Sequence, residues 1–199
     1  MTPSELEEHN HLYKEAIQVV GNEIIIQGHP RLSEPSSEVR SKLDHALQLF
    51  SRVIGLNPDN WSAMWFMGKI YQRCGDHSAA LEWFARAHNL NLGQVDVLRE
   101  ASVCVMELGR SKEGISYAFS ASSLRPDDAG LQSNLALALL LAARLDEARQ
   151  SIEKAILKDP ADPIGKTVSR MIEHFIDSGQ KPPRTTKELQ RYWARRRPG

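Results

Sequence analysis

The sequence predicts an all-α chain built as a solenoid of antiparallel helix pairs, and three observations predict it. One pattern recurs every 34 residues, without a gap, from Trp61 to Pro160, a period that marks stacked helical arrays. Within each copy the apolar and small residues fall three and four apart, as they do along one face of a helix. Turn signals break the copies at fixed places: glycine at the fifteenth position of the first two (Gly75, Gly109) and proline at the thirty-second of the last two (Pro126, Pro160).

In chain order, residues 1–60 read as an interrupted copy. Ser4 to Gln27 is helix-like, opened by Pro3-Ser4 and closed by Gly28 and Pro30. Its Ile17, Val20, Gly21 and Ile24 stand at positions 4, 7, 8 and 11 of the pattern, and the partner helix follows late, with Ala46, Phe50, Val53 and Pro58 at 20, 24, 27 and 32. The lateness corresponds to an insertion of about 13 residues, roughly 29–41. Part of it is polar loop. The rest carries the second helix back to Ser36 or Ser37, because Val39 and Leu43 continue the stripe of Ala46, Leu47, Phe50 and Ile54. Such a helix would serve as a cap on the core or a lip on a binding surface.

Residues 61–160 read as three consecutive copies. The first places Met67, Gly68 and Tyr71 at 7, 8 and 11, and Ala80, Phe84 and Ala87 at 20, 24 and 27; the second repeats Gly114, Ala118 and Ala121 at those last three positions, and the third Ala148, Ile152 and Ala155. Small residues at 8, 20 and 27 let two antiparallel helices approach, while the residue at 24 fills the space between them. Residues 161–179 supply one capping helix, Pro163 to Asp177, with Ile164, Val168, Ile172 and Phe175 apolar and Ser178-Gly179 as its end. In 180–199, GQKPPR reads as a stiff linker before a short basic helix or tail. There Thr185 and Glu188 have capping-box spacing, and Leu189, Tyr192 and Trp193 make one apolar stripe.

This layout resembles the tetratricopeptide repeat, strictly over about half of the chain and loosely over nearly all of it. The resemblance implies a right-handed superhelix and a concave groove lined by positions 2, 5, 6, 9, 12 and 13 of the first helices. Carried onto this chain, it implies a partner-binding groove of Gln18 and Asn22, then Trp65, Phe66, Lys69, Gln72 and Arg73, then Arg99, Val103, Met106 and Glu107, and finally Ser133, Asn134, Leu137, Leu140 and Leu141. Family members that clamp the C-terminal carboxylate of chaperones carry Lys, Asn and Arg at set groove positions. In one register this chain offers Gln18, Asn22, Phe66, Asp96 and Glu100, and in the next Trp65, Lys69, Glu100, Gly130 and Asn134. Either register sets an acid where a carboxylate would be repelled, so a chaperone-tail adaptor is not expected.

Composition agrees with a soluble globular chain, 41% hydrophobic and 25% charged. The zero net charge hides an asymmetry, since seven basic residues after Gly179 (Lys181, Arg184, Lys187, Arg191, Arg195, Arg196, Arg197) face Glu188 alone. That tail is net +6 and the remainder −6. Cys74 and Cys104 are too few for a disulfide framework and read as plain thiols of a reducing compartment. The acidic MTPSELEEHNH start is unlike a secretory signal, and the longest apolar run, Leu135 to Ala143, is about half a membrane span. A cytoplasmic protein is expected.

No glycine-rich phosphate loop, GxSxG elbow or HExxH is present. The histidines, His9 and His11 included, read as surface residues, and Glu173-His174 as a solvated pair. No cofactor, metal site or catalytic residue is expected, nor an enzyme. The expected function is a scaffold whose groove takes up a peptide or helix of a protein partner; a three-repeat secretion-type chaperone falls in the same class. The alternative is a nucleic-acid-associated protein using the basic tail, with Arg191, Tyr192, Trp193 and Arg195 as its contact residues. The C-terminal helix is expected to dock on its own chain or on a second copy, and no membrane is involved.

Overall fold

Among the described residues, seven side chains mark the starts of helices. Thr2, Ser36, Asn60, Asp76, Asp128, Asp162 and Thr185 each accept a hydrogen bond from a first-turn N–H, a contact worth about 1 kcal/mol each. The computed structural model describes residues 1–24 and 34–196, and among these every regular element is an α-helix. They form two compact units, Met1–Leu92 and Gly93–Gly199.

The first unit holds α1 (Pro3–Val20), α2 (Ser37–Leu56), α3 (Trp61–Arg73) and α4 (His77–Leu90), each packed on its sequence neighbour. Leu12, Ala16, Leu43, Ala46, Phe50, Val53, Met67 and Ile70 form its core. Tyr13 stands edge-on to Phe50 and Phe66, whose rings stack at 5.1 Å, and its hydroxyl meets Ser62 Oγ at 2.6 Å.

Two expectations for this unit are corrected. The first helix stops at Val20, because Gly21 turns the chain with φ +47° while its N–H still bonds the Ile17 carbonyl. Gly21, Asn22 and Ile24 therefore lie past the helix, and the expected end at Gln27–Gly28 and the loop at 29–33 fall outside the described residues. The buried stripe is His9, Leu12, Ala16 and Val20, which leaves Ile17 38% exposed. His9 is accordingly a buried residue, not a surface one. It is held by Asn10 and Asn60 through its two ring nitrogens.

The second unit holds α5 (Val95–Glu107), α6 (Ser111–Leu124), α7 (Ala129–Leu141), α8 (Leu145–Lys158), α9 (Pro163–Ser178) and α10 (Thr186–Ala194). Its central helix, α7, has almost no polar face. The reason is that α5, α6, α8 and α9 all pack against it, so Leu131, Leu135, Leu139, Leu140 and Leu141 are all buried. Residue 143 occupies the place that Gly75 and Gly109 hold in the earlier copies. All three have positive φ, but here the residue is alanine, at φ +58°.

Ile164 on α9 is 65% exposed, against expectation; the buried stripe is Gly165, Val168, Ile172 and Phe175. At Gly165 α9 comes close to α7, where a Cβ would lie 3.4 Å from Ser133 Oγ, so the glycine faces inward and its isoleucine neighbour turns out. Glu173 and His174 are not a solvated pair either. The Glu173 carboxylate accepts from Nε and Nη2 of Arg149, and His174 meets α10. In the segment before α10, expected to be a stiff linker, Pro182 is buried. At the start of α10, Thr185 Oγ1 accepts from Glu188 N–H, but the Glu188 carboxylate accepts from Arg184 N–H, so only half of the expected capping box forms. Among the described residues no helix is long and apolar enough to cross a membrane.

Candidate functional site

In the first unit, the residues expected to line a groove are mostly engaged. Gln18 on α1 and Asn22 beyond it are exposed. Trp65 is only 8% exposed and stands edge-on to Phe66 at 5.0 Å. Lys69, 4% exposed, donates from Nζ to Gln72 Oε1 (2.9 Å) and lies 6.0 Å from the centre of the Trp65 ring. Arg73 Nε donates to the Glu23 carbonyl at 2.9 Å, which ties the end of α3 to the chain just after α1. Gln72 and Arg73 are half-buried. Open surface thus falls mainly on Gln18 and Asn22.

In the second unit, Arg99 pairs with Asp96 (3.0 Å) and Glu100 (3.6 Å), and Asn134 donates from Nδ2 to Ser102 Oγ at 2.7 Å, bridging α5 and α7. Val103 and Leu137 are half-buried; Met106, Ser133, Leu140 and Leu141 are fully buried. These four are therefore not open groove surface in this structure. Leu189, Tyr192 and Trp193 of α10, which packs against α5, belong to the same apolar cluster as Val103, Met106, Leu137, Leu140 and Leu141.

The seat of α10 has polar ends. Thr186 Oγ1 donates to the Glu107 carboxylate. The Tyr192 hydroxyl meets His174 Nε2 at 2.8 Å and Gln180 Oε1 at 2.7 Å, and the His174 and Phe175 rings lie 5.1 Å from Trp193 and Tyr192 respectively. Arg191 and Arg195 point outward and are exposed, and Arg196 lies over the Tyr192 ring at 4.5 Å. Of the four tail residues named from sequence, two face the protein and two face solvent. Thr186, His174 and Gln180 were missed; Thr186 and Glu107 are 79 positions apart, and no local spacing signals such a meeting.

Elsewhere on the second unit, α6, α7 and α8 enclose an open hollow of about 450 Å³ lined by Ile115, Phe119, Leu135, Leu139 and Lys154 among others. Cys104 is buried and Cys74 half-buried, and burial pushes the Cys74 thiol above its ordinary value. Among the described residues no group of three His, Cys, Asp or Glu side chains is placed to hold a metal ion.

The family model described as tetratricopeptide repeat matches residues 39–90 and 105–163. Among curated proteins, the transcription factor tau 131 kDa subunit of Saccharomyces cerevisiae is 33% identical over 76 residues, 37% of this chain. The matched stretch spans only 7% of that yeast protein. Among solved structures the chain is similar to YrrB, described as a repeat protein with an unusual peptide-binding site, at 17% identity and a TM-score of 0.62, with 85% of this chain and 86% of that one covered. It is also similar to a double mutant of MamA RS-1 (14% identity, TM-score 0.71, 85% of each chain). PilF of Pseudomonas aeruginosa gives 15% identity and a TM-score of 0.66, with 88% and 72% covered. At such identities the likeness is one of fold.

Proposed function

Because the chain belongs to the tetratricopeptide repeat family, matched over more than half of its length, we propose that it is a non-enzymatic interaction scaffold that takes up a peptide or helix of a protein partner on the inner faces of its repeats. Proteins of this fold are generally scaffolds without catalysis of their own. The observation that carries the finer reading is α10, a helix packed against α5 whose Leu189, Tyr192 and Trp193 share one apolar cluster with Val103, Met106, Leu137 and Leu141, at pattern positions 9, 12 and 13. A face that seats one amphipathic helix has the chemistry to seat another. The accessible polar residues of the same faces are Gln18 and Asn22 in the first unit and Arg99 and Asn134 in the second. This reading takes 1–60 as an interrupted repeat, 61–160 as three repeats and 161–179 as their cap.

Partner capture by the full chain tests it. Gln18→Lys with Asn22→Lys, or Arg99→Glu, is expected to lower capture at unchanged helical content, while Glu153→Lys on the exposed side of α8 leaves it intact. Equal capture by all variants overturns the reading.

The second reading, association with nucleic acid, is favoured by one observation: seated α10 keeps Lys187, Arg191, Arg195 and Arg196 exposed. Phosphate binding through these would fall steeply between 50 and 200 mM salt. Capture that survives nuclease and that salt step goes against it.

A further inference from the structure

The seat of α10 is graded along its length. Glu107 faces the N-terminal end, where first-turn N–H groups favour a negative charge. Leu189, 3% exposed, enters the apolar cluster in the middle. At the far end the Tyr192 hydroxyl donates to Gln180 Oε1 and lies 2.8 Å from His174 Nε2. One point of the fit fails: Trp193 Nε1 is buried with no acceptor among the described residues, which costs free energy relative to the same group in water.

The helix itself is weakly self-supporting. It has nine residues, too few to stay helical unaided, so it is a helix because it is seated. A short segment, 179–185, holds it nearby, which keeps the seat supplied at an effective concentration on the order of millimolar.

We propose that α10 is a tethered stand-in, and that its seat recognises an amphipathic partner helix of the same chemistry, which must displace α10 to bind. The proposal rests on the scaffold reading and narrows it to one face and one ligand class. The ligand has a hydroxyl-bearing first turn at Glu107, a leucine-like residue at the centre, aromatic residues three and four positions on, and a basic outer side. A partner with phenylalanine at the place of Trp193 keeps an aromatic ring beside His174 without the orphan N–H.

The test uses fluorescein-labelled peptide 181–196, native and with Trp193→Phe, titrated by anisotropy into the full chain and into the full chain carrying Leu189→Asp, which unseats α10. The Leu189→Asp chain is expected to bind about 10- to 100-fold more tightly than the unaltered chain, whose seat is free only a small fraction of the time. The Trp193→Phe peptide is expected to bind more tightly than the native one, and Glu107→Lys in the Leu189→Asp background to abolish most of the gain. Equal binding by both chains, or none by a Leu189→Asp chain that keeps the helical content of the remainder, overturns the proposal. Amide exchange on the unaltered chain gives a second readout if Leu189→Asp unfolds the unit: the amides of Leu189–Trp193 are expected to exchange at least about 100-fold faster than those of Leu139–Leu141, and equal protection overturns displacement. Partner capture that responds to Gln18, Asn22 or Arg99 while the peptide fails to bind would leave the scaffold reading standing and remove only this proposal.

Discussion

Gly68 on α3 and Phe84 on α4 pack so closely that a Cβ on Gly68 would lie 2.5 Å from Phe84 Cε1 and within 2.9 Å of Cζ. Phe84 is completely buried, so its ring has little room to retreat. Gly68→Ala is therefore expected to destabilise the first unit by about 1–3 kcal/mol, and pairing it with Phe84→Leu to recover part of that loss. Urea unfolding of the two variants measures both effects; an unchanged midpoint for Gly68→Ala would show that the ring shifts freely.

Ala80 and Ala148 occupy the same pattern position in different copies, and both are fully buried. Ala80→Glu or Ala148→Glu would bury an unpaired carboxylate between two helices, at an expected cost of at least about 3 kcal/mol each. Thermal melts that barely move would contradict the assigned phase of the repeat.

Asn60 serves two elements at once. Its Oδ1 accepts from Ala63 N–H at 2.9 Å to cap α3, and its Nδ2 lies 3.0 Å from His9 Nε2 on α1. Because the cap assigns the oxygen as acceptor, the amide N–H donates and His9 Nε2 accepts. Asn60→Ala is expected to cost about 1–2 kcal/mol, and Asn60→Ser, which restores the cap alone, about half of that. Equal losses for the two variants, read by denaturation, would mean that the cap contributes nothing.

Ala143 holds a left-handed conformation that glycine adopts in the two earlier copies. A side chain there costs about 1–2 kcal/mol, partly offset by the greater freedom of glycine in the unfolded chain. Ala143→Gly is thus expected to stabilise the second unit by about 0.5–1 kcal/mol in urea unfolding. A loss of stability would show that the Cβ makes a compensating contact.

Cys74 titrates above an ordinary thiol because burial disfavours the thiolate. At pH 8 it therefore carries less thiolate than glutathione and is expected to react more slowly with a disulfide reagent, the rate rising as pH increases. Buried Cys104 is expected to react only on unfolding. A Cys74 rate at or above that of glutathione would contradict this.

Much of the fold was legible because local physics writes it. Helix starts were visible at Ser36 and Thr185, whose side-chain oxygens bond nearby N–H groups, and the small and large residues at positions 8, 20, 24 and 27 announced which faces meet. The end of α1 was less legible. Gly21 fits the small-residue position of the pattern as well as it fits a helix stop, and spacing alone does not choose between them.

The sequence by itself determined the all-helical class, the 34-residue period and the pairing of neighbouring helices, because those depend on contacts between residues close in the chain. Only the tertiary structure decided which of the residues expected to line a groove are open. Lys69 is drawn down beside Gln72 and the Trp65 ring, and Arg73 is spent on the Glu23 carbonyl 50 positions away. Met106 and Leu141 lie in the cluster that seats Leu189. An apolar or charged side chain at a given position carries the same pattern whether a distant segment covers it or not, and the balance that seats α10 is settled by Glu107, His174 and Phe175, none of which is its neighbour in sequence.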